Sequence, residues 1–313
     1  MAARVVALGG GHGLAASLRA LRQVTDQLTA IVTVADDGGS SGRLRKEFGV
    51  LPPGDLRMAL AALCDDDTWG ETWARVLQHR FASAGELDGH STGNLLIVSI
   101  WDLLGDHVAG LDLIGELLGA RGRVLPMALS PLQITASVRG AAPERPDAVT
   151  EVRGQVEVAT TPGEIMSVRL EPADAPACPE ALQAIAEADW VVLGPGSWYS
   201  SVIPHLLIPQ MREALVATPA KILVNLNLQP QVGETEGFTP VDHYEVLLDH
   251  APGIDIDVVL ADAGSLGDAT ELAERVSGSG AQLIVDHIAS GDAPDQHNPA
   301  RLALAYARLM ART

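Results

Sequence analysis

Lysine is almost missing. Lys46 and Lys221 are the only two among 313 residues, and neither stands in a G-x-x-x-x-G-K-[ST] run, which excludes a P-loop nucleotidase. Cysteine is as scarce. Cys64 and Cys178 lie far apart and make no metal-ligand spacing with the nine histidines. They read as free thiols of a cytoplasmic protein rather than as a disulfide framework or a zinc site. No apolar run approaches the roughly 20 residues of a membrane-spanning helix, and no signal peptide precedes the strand-like Val5-Val6-Ala7-Leu8. The hydrolase elbow G-x-S-x-G and the metallopeptidase H-E-x-x-H are also missing, so covalent catalysis has no visible carrier.

Positive charge is short overall. Lys and Arg number 21 against 40 Asp and Glu, a formal charge of −19. That balance argues against nucleic acid or an anionic membrane as partner, because both require clustered basic residues. An anionic ligand must then be held locally, by backbone amides and a few arginines, against a repulsive field. What is present is ordinary for a globular chain, 47% apolar and 19% charged, with enough length for a large core and no need of a staple.

The chain opens as strand, glycine turn, helix, strand. Arg4–Leu8 is apolar, Gly9–Gly13 breaks it, Leu14, Leu18 and Leu21 follow at helical spacing, and the β-branched run at 30–35 ends at Asp36-Asp37. This βαβ unit predicts a parallel sheet with a crevice at the carboxyl ends of its strands. Further strands are expected at 121–127, 190–193, 221–225, 257–260 and 282–285. Asn298-Pro299 supplies an N-cap and a first-turn proline for a last helix. Between 149 and 171, alternating apolar residues about Thr160-Thr161-Pro162-Gly163 suggest an antiparallel β-hairpin. The expected architecture is an α/β, Rossmann-like, doubly wound and mostly parallel sheet in three αβα layers, a single domain over 1–313 carrying that hairpin.

Four constellations carry candidate chemistry. Gly9, Gly10, Gly11, His12 and Gly13 form a glycine turn opening a helix, a shape that admits an anion to free amides, although a plain strand-to-helix turn has the same look. Asp36, Asp37, Gly38, Gly39, Ser40 and Ser41, followed by Arg43, place two carboxylates at a strand end. These suit Mg2+ or sugar hydroxyls; an acidic turn with capping serines is the plainer alternative. Gly194, Pro195, Gly196, Ser197, Ser200 and Ser201 combine glycine amides with hydroxyls before a helix, an anion-binding design. Scattered candidates are Asp55 and Arg57, His90 and Asn94, and Asn225, Asn227 and Gln229 at a strand end. Asp55 serves equally as a helix cap, and Trp69 and Trp73, at helical spacing, read as core.

Taken in order, Gly9–Gly13, the run from Val32 through Asp36-Asp37-Gly38-Gly39-Ser40-Ser41-Gly42 to Arg45, Pro53–Arg57, His90–Asn94, Gly194–Ser201 and Gly233-Glu234-Thr235 resemble the YvcK family of gluconeogenesis factors. That family lies within a superfamily that includes the CofD-like 2-phospho-L-lactate transferases. The likeness spans almost the whole chain. It implies a Rossmann-like fold and binding of a UDP-sugar, UDP-N-acetylglucosamine. It also implies a role in peptidoglycan precursor supply and cell shape on gluconeogenic carbon sources. On this reading the glycine loops take the diphosphate, Asp36 and Asp37 the hydroxyls, and Asn227 the base. The chain departs from the family at His12, where many members carry Thr, and at Asp262, where Asn is expected. The stretch after Asp37 also lacks the transferase-branch pattern.

Three functions compete on these residues. The first is a regulatory UDP-sugar-binding protein, requiring no cofactor and acting on a protein of amino-sugar or cell-wall precursor synthesis, with self-association left open. The second is a Mg2+-dependent nucleotidyl- or phosphoryl-transferase with the cation at Asp36 and Asp37. The third, suggested by G-x-G-x-x-A ahead of an acidic strand end, is an NAD(P)-dependent oxidoreductase.

Overall fold

The computed structural model describes residues 2–142, 144–293 and 295–311. Seven strands form one wholly parallel sheet: β1 (Val5–Gly9), β2 (Leu28–Val32), β3 (Arg123–Pro126), β7 (Trp190–Leu193), β8 (Lys221–Asn225), β9 (Val258–Asp262) and β10 (Gln282–Asp286). Their order is β3-β2-β1-β7-β8-β9-β10. β1, β7 and β9 are buried along their whole length, as expected of parallel strands covered on both faces, and this is why they read as unbroken apolar runs. Helices cover both faces, making the three-layer αβα arrangement. On one face α1 (Gly11–Leu21) packs against α3 (Gly54–Leu63) and the C-terminal helix Pro299–Met310, where Ser17 and Tyr306 share a buried hydroxyl–hydroxyl bond of 3.0 Å. Among the described residues no helix is long and apolar enough to cross a membrane.

Strand order fixes where a ligand can enter. From β1 the chain winds outward through β2 and β3, then returns to the other side of β1 as β7 and winds the opposite way. The winding therefore reverses between β1 and β7, and the carboxyl ends of these two strands are where a sheet of this kind places a ligand. The loops leaving those ends are Gly9–Gly13 and Gly194–Ser201.

The antiparallel excursion differs from the expected hairpin in one respect. It is a three-stranded sheet in the order β5-β4-β6, with β4 (Gln133–Arg139) between β5 (Val149–Arg153) and β6 (Glu164–Glu171). β5 and β6 do not pair with each other, because the stretch between them forms a short helix, Gln155–Thr160, rather than a turn. The alternation of Val152, Val156 and Val158 spans a strand and a helix. Its middle partner, β4, lies outside the segment that alternates.

Candidate functional site

The two switch-point loops touch. Gly13 faces Pro195 and Gly196 so closely that a Cβ there would sit 2.3 Å from the Pro195 carbonyl oxygen and 2.5 Å from Gly196 Cα. Gly194 adopts φ +72°, which turns the chain straight off β7 and favours glycine. Gly10 is where the other constellations arrive. A Cβ at Gly10 would meet Asp55 Oδ2 and Thr33 Cγ2 at 2.5 Å and Ser201 Oγ at 3.2 Å. Sequence separations of up to about 190 residues thus collapse onto one rim. Gly9 and Gly11 flank this point, while His12 is exposed in the first turn of α1.

The Asp36–Ser41 loop joins the rim through Gly54. A Cβ on Gly54 would lie 2.4 Å from Ser41 Oγ and 2.7 Å from Asp36 Oδ2. Asp36 accepts the Gly38 N–H at 2.8 Å and a bond from Ser41. Burial nevertheless raises its carboxyl above the ordinary aspartate range. Asp55 is held higher still, at about 7, chiefly by burial and then by the charge of Asp36. The Gly11 N–H donated to it pulls the other way. Its Oδ2 is buried with no hydrogen-bond partner. Asp36 therefore interacts with both acidic neighbours: its charge raises Asp55, and the charge of Asp37 raises Asp36. Asp37 is spent elsewhere in its hydrogen bonding: it accepts the Val156 N–H at 3.1 Å and crowds Gly154, tying the loop to the Gln155–Thr160 helix.

The serines of this loop, in α2 (Gly39–Phe48), are consumed by an internal network. Ser40 Oγ bonds His90 Nδ1 at 3.0 Å and accepts from Asn94 Nδ2 at 3.1 Å. Asn94 also donates to Ser41 Oγ at 3.4 Å and accepts from Arg57 Nε at 2.9 Å. Arg57 bonds Gln78 with its other arm. Burial, then the neighbouring Arg80, holds its guanidinium down at about 10. Arg57, Arg80, Asp36, Asp55 and Asn94 line a cavity of about 210 Å3 floored by Gly38, Gly39 and Gly54. Arg43, expected at the site, instead donates to the Glu86 and Asp88 carbonyls at 3.0 and 2.8 Å on the exposed loop before His90.

The third loop is clamped from outside. Asn227 Nδ2 donates to the Gly196 carbonyl at 2.8 Å, and its Oδ1 accepts the Gly196 N–H at 2.9 Å, so its amide is spent on backbone. Gln231 donates to Ser197 Oγ at 3.2 Å. Glu234 caps the π-helical turn Trp198–Val202: it accepts the Tyr199 N–H at 3.0 Å and the Ser200 hydroxyl. Burial raises its carboxyl above the usual range. Ser201 remains beside Gly10. Asp262, at the end of β9, takes the backbone N–H groups of Gly264, Ser265, Ile288 and Ala289, which explains a carboxylate there.

Sequence reasoning missed Thr33, Met58 and Arg80 at the rim. Thr33 follows the strand run directly, which was a usable signal; Arg80 carried none. Trp69 and Trp73, read as core, pack ring to ring at 5.7 Å with Trp69 half-exposed and its indole N–H on the Leu117 carbonyl.

Residues 5–290 match the family described as 2-phospho-L-lactate transferase CofD. A relative from Mycobacterium tuberculosis, provisionally named as a gluconeogenesis factor, is 49% identical over 311 residues, covering 98% of this chain and 90% of its own. The Bacillus subtilis protein named Gluconeogenesis factor is 37% identical, over 85% of this chain and 80% of its own. The crystal structure of a UPF0052-family protein from Bacillus halodurans superposes with a TM-score of 0.84 at 35% identity, covering 96% of this chain and 97% of that one. With the family matched across nearly all of the sheet and every loop of its rim, the chain belongs to the CofD family, on the branch of the gluconeogenesis factors.

Proposed function

We propose that the rim binds a UDP-sugar, UDP-N-acetylglucosamine. On this reading the protein is a cytoplasmic regulator that reports precursor level to a partner in amino-sugar or cell-wall precursor synthesis, supporting cell shape on gluconeogenic carbon sources. The observation that carries it is the contact of Gly13 with Pro195–Gly196 at the switch point between β1 and β7. A pyrophosphate there meets amides and helix ends without any lysine, and the names of the relatives support the physiological setting. Calorimetry of the full chain with UDP-N-acetylglucosamine, GDP and NAD tests it. The sugar nucleotide is expected to bind tightest, and no heat from it at millimolar concentration removes the reading.

A second reading, Mg2+-dependent phosphoryl or nucleotidyl transfer, is favoured by Asp55, whose unpaired Oδ2 lies beside Gly10. Asp36 and Asp55, rather than Asp37, would hold the cation. Two carboxylates suit Mg2+, which takes few protein ligands and completes its shell with substrate phosphates and water; bound there it would neutralise the diphosphate charge. The two readings part with pH. Asp55 is protonated below about 7 and anionic above it. Without Mg2+, pyrophosphate affinity is expected to fall from roughly pH 6 to 8, and Asp55→Asn flattens the dependence. Bridging by Mg2+ reverses the slope in wild type only, and chromatography of UDP-sugar incubations then reads turnover.

A further inference from the structure

Beyond the ends of β8 and β9 lies a second pocket, of about 150 Å3, walled by Leu226, Leu228, Phe238, Pro240, Leu266 and His243. We propose that this pocket is a uracil subsite in which His243 Nε2 accepts the ring N3–H. His243 is 4% exposed, and its Nδ1 lies 3.0 Å from the Thr239 carbonyl oxygen. A carbonyl can only accept, so Nδ1 carries the proton and Nε2 presents a lone pair. That Nε2 is buried and has no hydrogen-bond partner, an arrangement that is costly unless something supplies a donor. Burial holds the imidazole below its ordinary pKa, which keeps the lone pair available.

Of the other polar side chains of the wall, Gln229 is exposed, Ser265 donates to Asp262, and the remaining two are already committed. Both ends of the Asn227 amide bond Gly196, and the Asp262 carboxylate accepts four backbone N–H groups. Phe238 and Trp198 stand edge-on to the imidazole at 5.3 and 5.4 Å, fixing its plane. The volume equals about five water molecules. It falls short of the roughly 300 Å3 at which pockets take a whole drug-sized ligand, so it admits one ring of a larger molecule. Asn227 belongs to this wall and also holds Gly196, so the pocket adjoins the loop proposed for the diphosphate. A flat single-ring heterocycle with one N–H fits; cytosine, whose N3 carries no hydrogen, sets lone pair against lone pair.

The assignment rests on the sugar-nucleotide reading for the position of the phosphates, and the test separates the two. Calorimetry of the full chain with UDP, CDP, uridine and inorganic pyrophosphate is the measurement. Wild type is expected to prefer UDP over CDP by about tenfold or more, the scale of one buried hydrogen bond. His243→Phe abolishes that preference and leaves pyrophosphate unchanged, while His243→Gln, which restores an acceptor, recovers part of it. Leu266→Trp fills the pocket and lowers UDP to the pyrophosphate level; melting curves check that each variant folds. UDP and CDP binding wild type equally, with His243→Phe without effect, overturns the subsite and leaves the diphosphate site standing. Wild type that ignores pyrophosphate and UDP but binds uridine, with loss in Leu266→Trp, overturns the diphosphate site and keeps the subsite. Silence to all four ligands ends both.

Discussion

Two loops of the rim carry the same residue types and use them in opposite ways. In Gly38–Ser41 the serine hydroxyls turn inward and bind side chains, His90 and Asn94, and Asn94 in turn holds Arg57 at the cavity. In Gly194–Ser201 side chains from a distant segment turn onto the loop: Asn227 grips the Gly196 backbone and Glu234 the Tyr199 N–H and Ser200 hydroxyl. The first loop is a scaffold for a charged cavity. The second is a length of backbone held in a fixed shape by side chains that take up its Gly196 and Tyr199 amides. A glycine–serine run therefore does not reveal which of its groups face a ligand; that depends on partners far away in sequence.

The comparison breaks most visibly at the glycines. Gly13→Ala drives a Cβ into backbone atoms of Pro195 and Gly196, which cannot yield without moving the whole third loop. Denaturant melts are expected to show a loss on the order of 3 kcal/mol, with ligand affinity lost alongside. Gly54→Ala meets only the ends of the Ser41 and Asp36 side chains, which can rotate, so its cost is expected to be clearly smaller. Equal costs in the two variants would mean that the loops are clamped alike. Next in size is Glu234→Ala, which strands the Tyr199 N–H and the Ser200 hydroxyl in the interior, with an expected loss of about 2 kcal/mol. Glu234→Gln keeps an acceptor and is expected to recover part of it.

How far these differences could be read in the sequence depends on whether their cause is local. β1 and β2, and the helix between them, are legible because burial on both faces makes a parallel strand continuously apolar and glycine marks the turn. The position of the rim is legible for the same reason, since the three glycine-rich loops each follow a strand. The middle strand β4 is not, because its pairing with β5 and β6 is a long-range event that alternation within 149–171 cannot encode. Nor is the turning of Asp37 toward Val156, the spending of Asn227 on Gly196, or the orphaned Nε2 of His243. Each is set by a neighbour brought in by topology. Glu234 lay within a matched motif, yet its role as a cap for Trp198–Val202 follows only from the fold.

Arg43 gives the smallest expected effect and sharpens the comparison at its edge. It follows the two serines immediately, and charge alone nominates it as a phosphate ligand. Its guanidinium instead spans the Glu86 and Asp88 carbonyls on the exposed segment before His90. Exposed polar contacts of this kind contribute less than about 1 kcal/mol, so Arg43→Ala is expected to change stability little and to leave UDP-sugar affinity unchanged in calorimetry. Proteolysis between residues 81 and 89 is expected to quicken modestly as that segment loosens. A tenfold fall in affinity would place the ligand on the outer side of α2, making the Gly38–Ser41 loop a ligand-facing element like its counterpart rather than the scaffold inferred from its hydroxyl bonds.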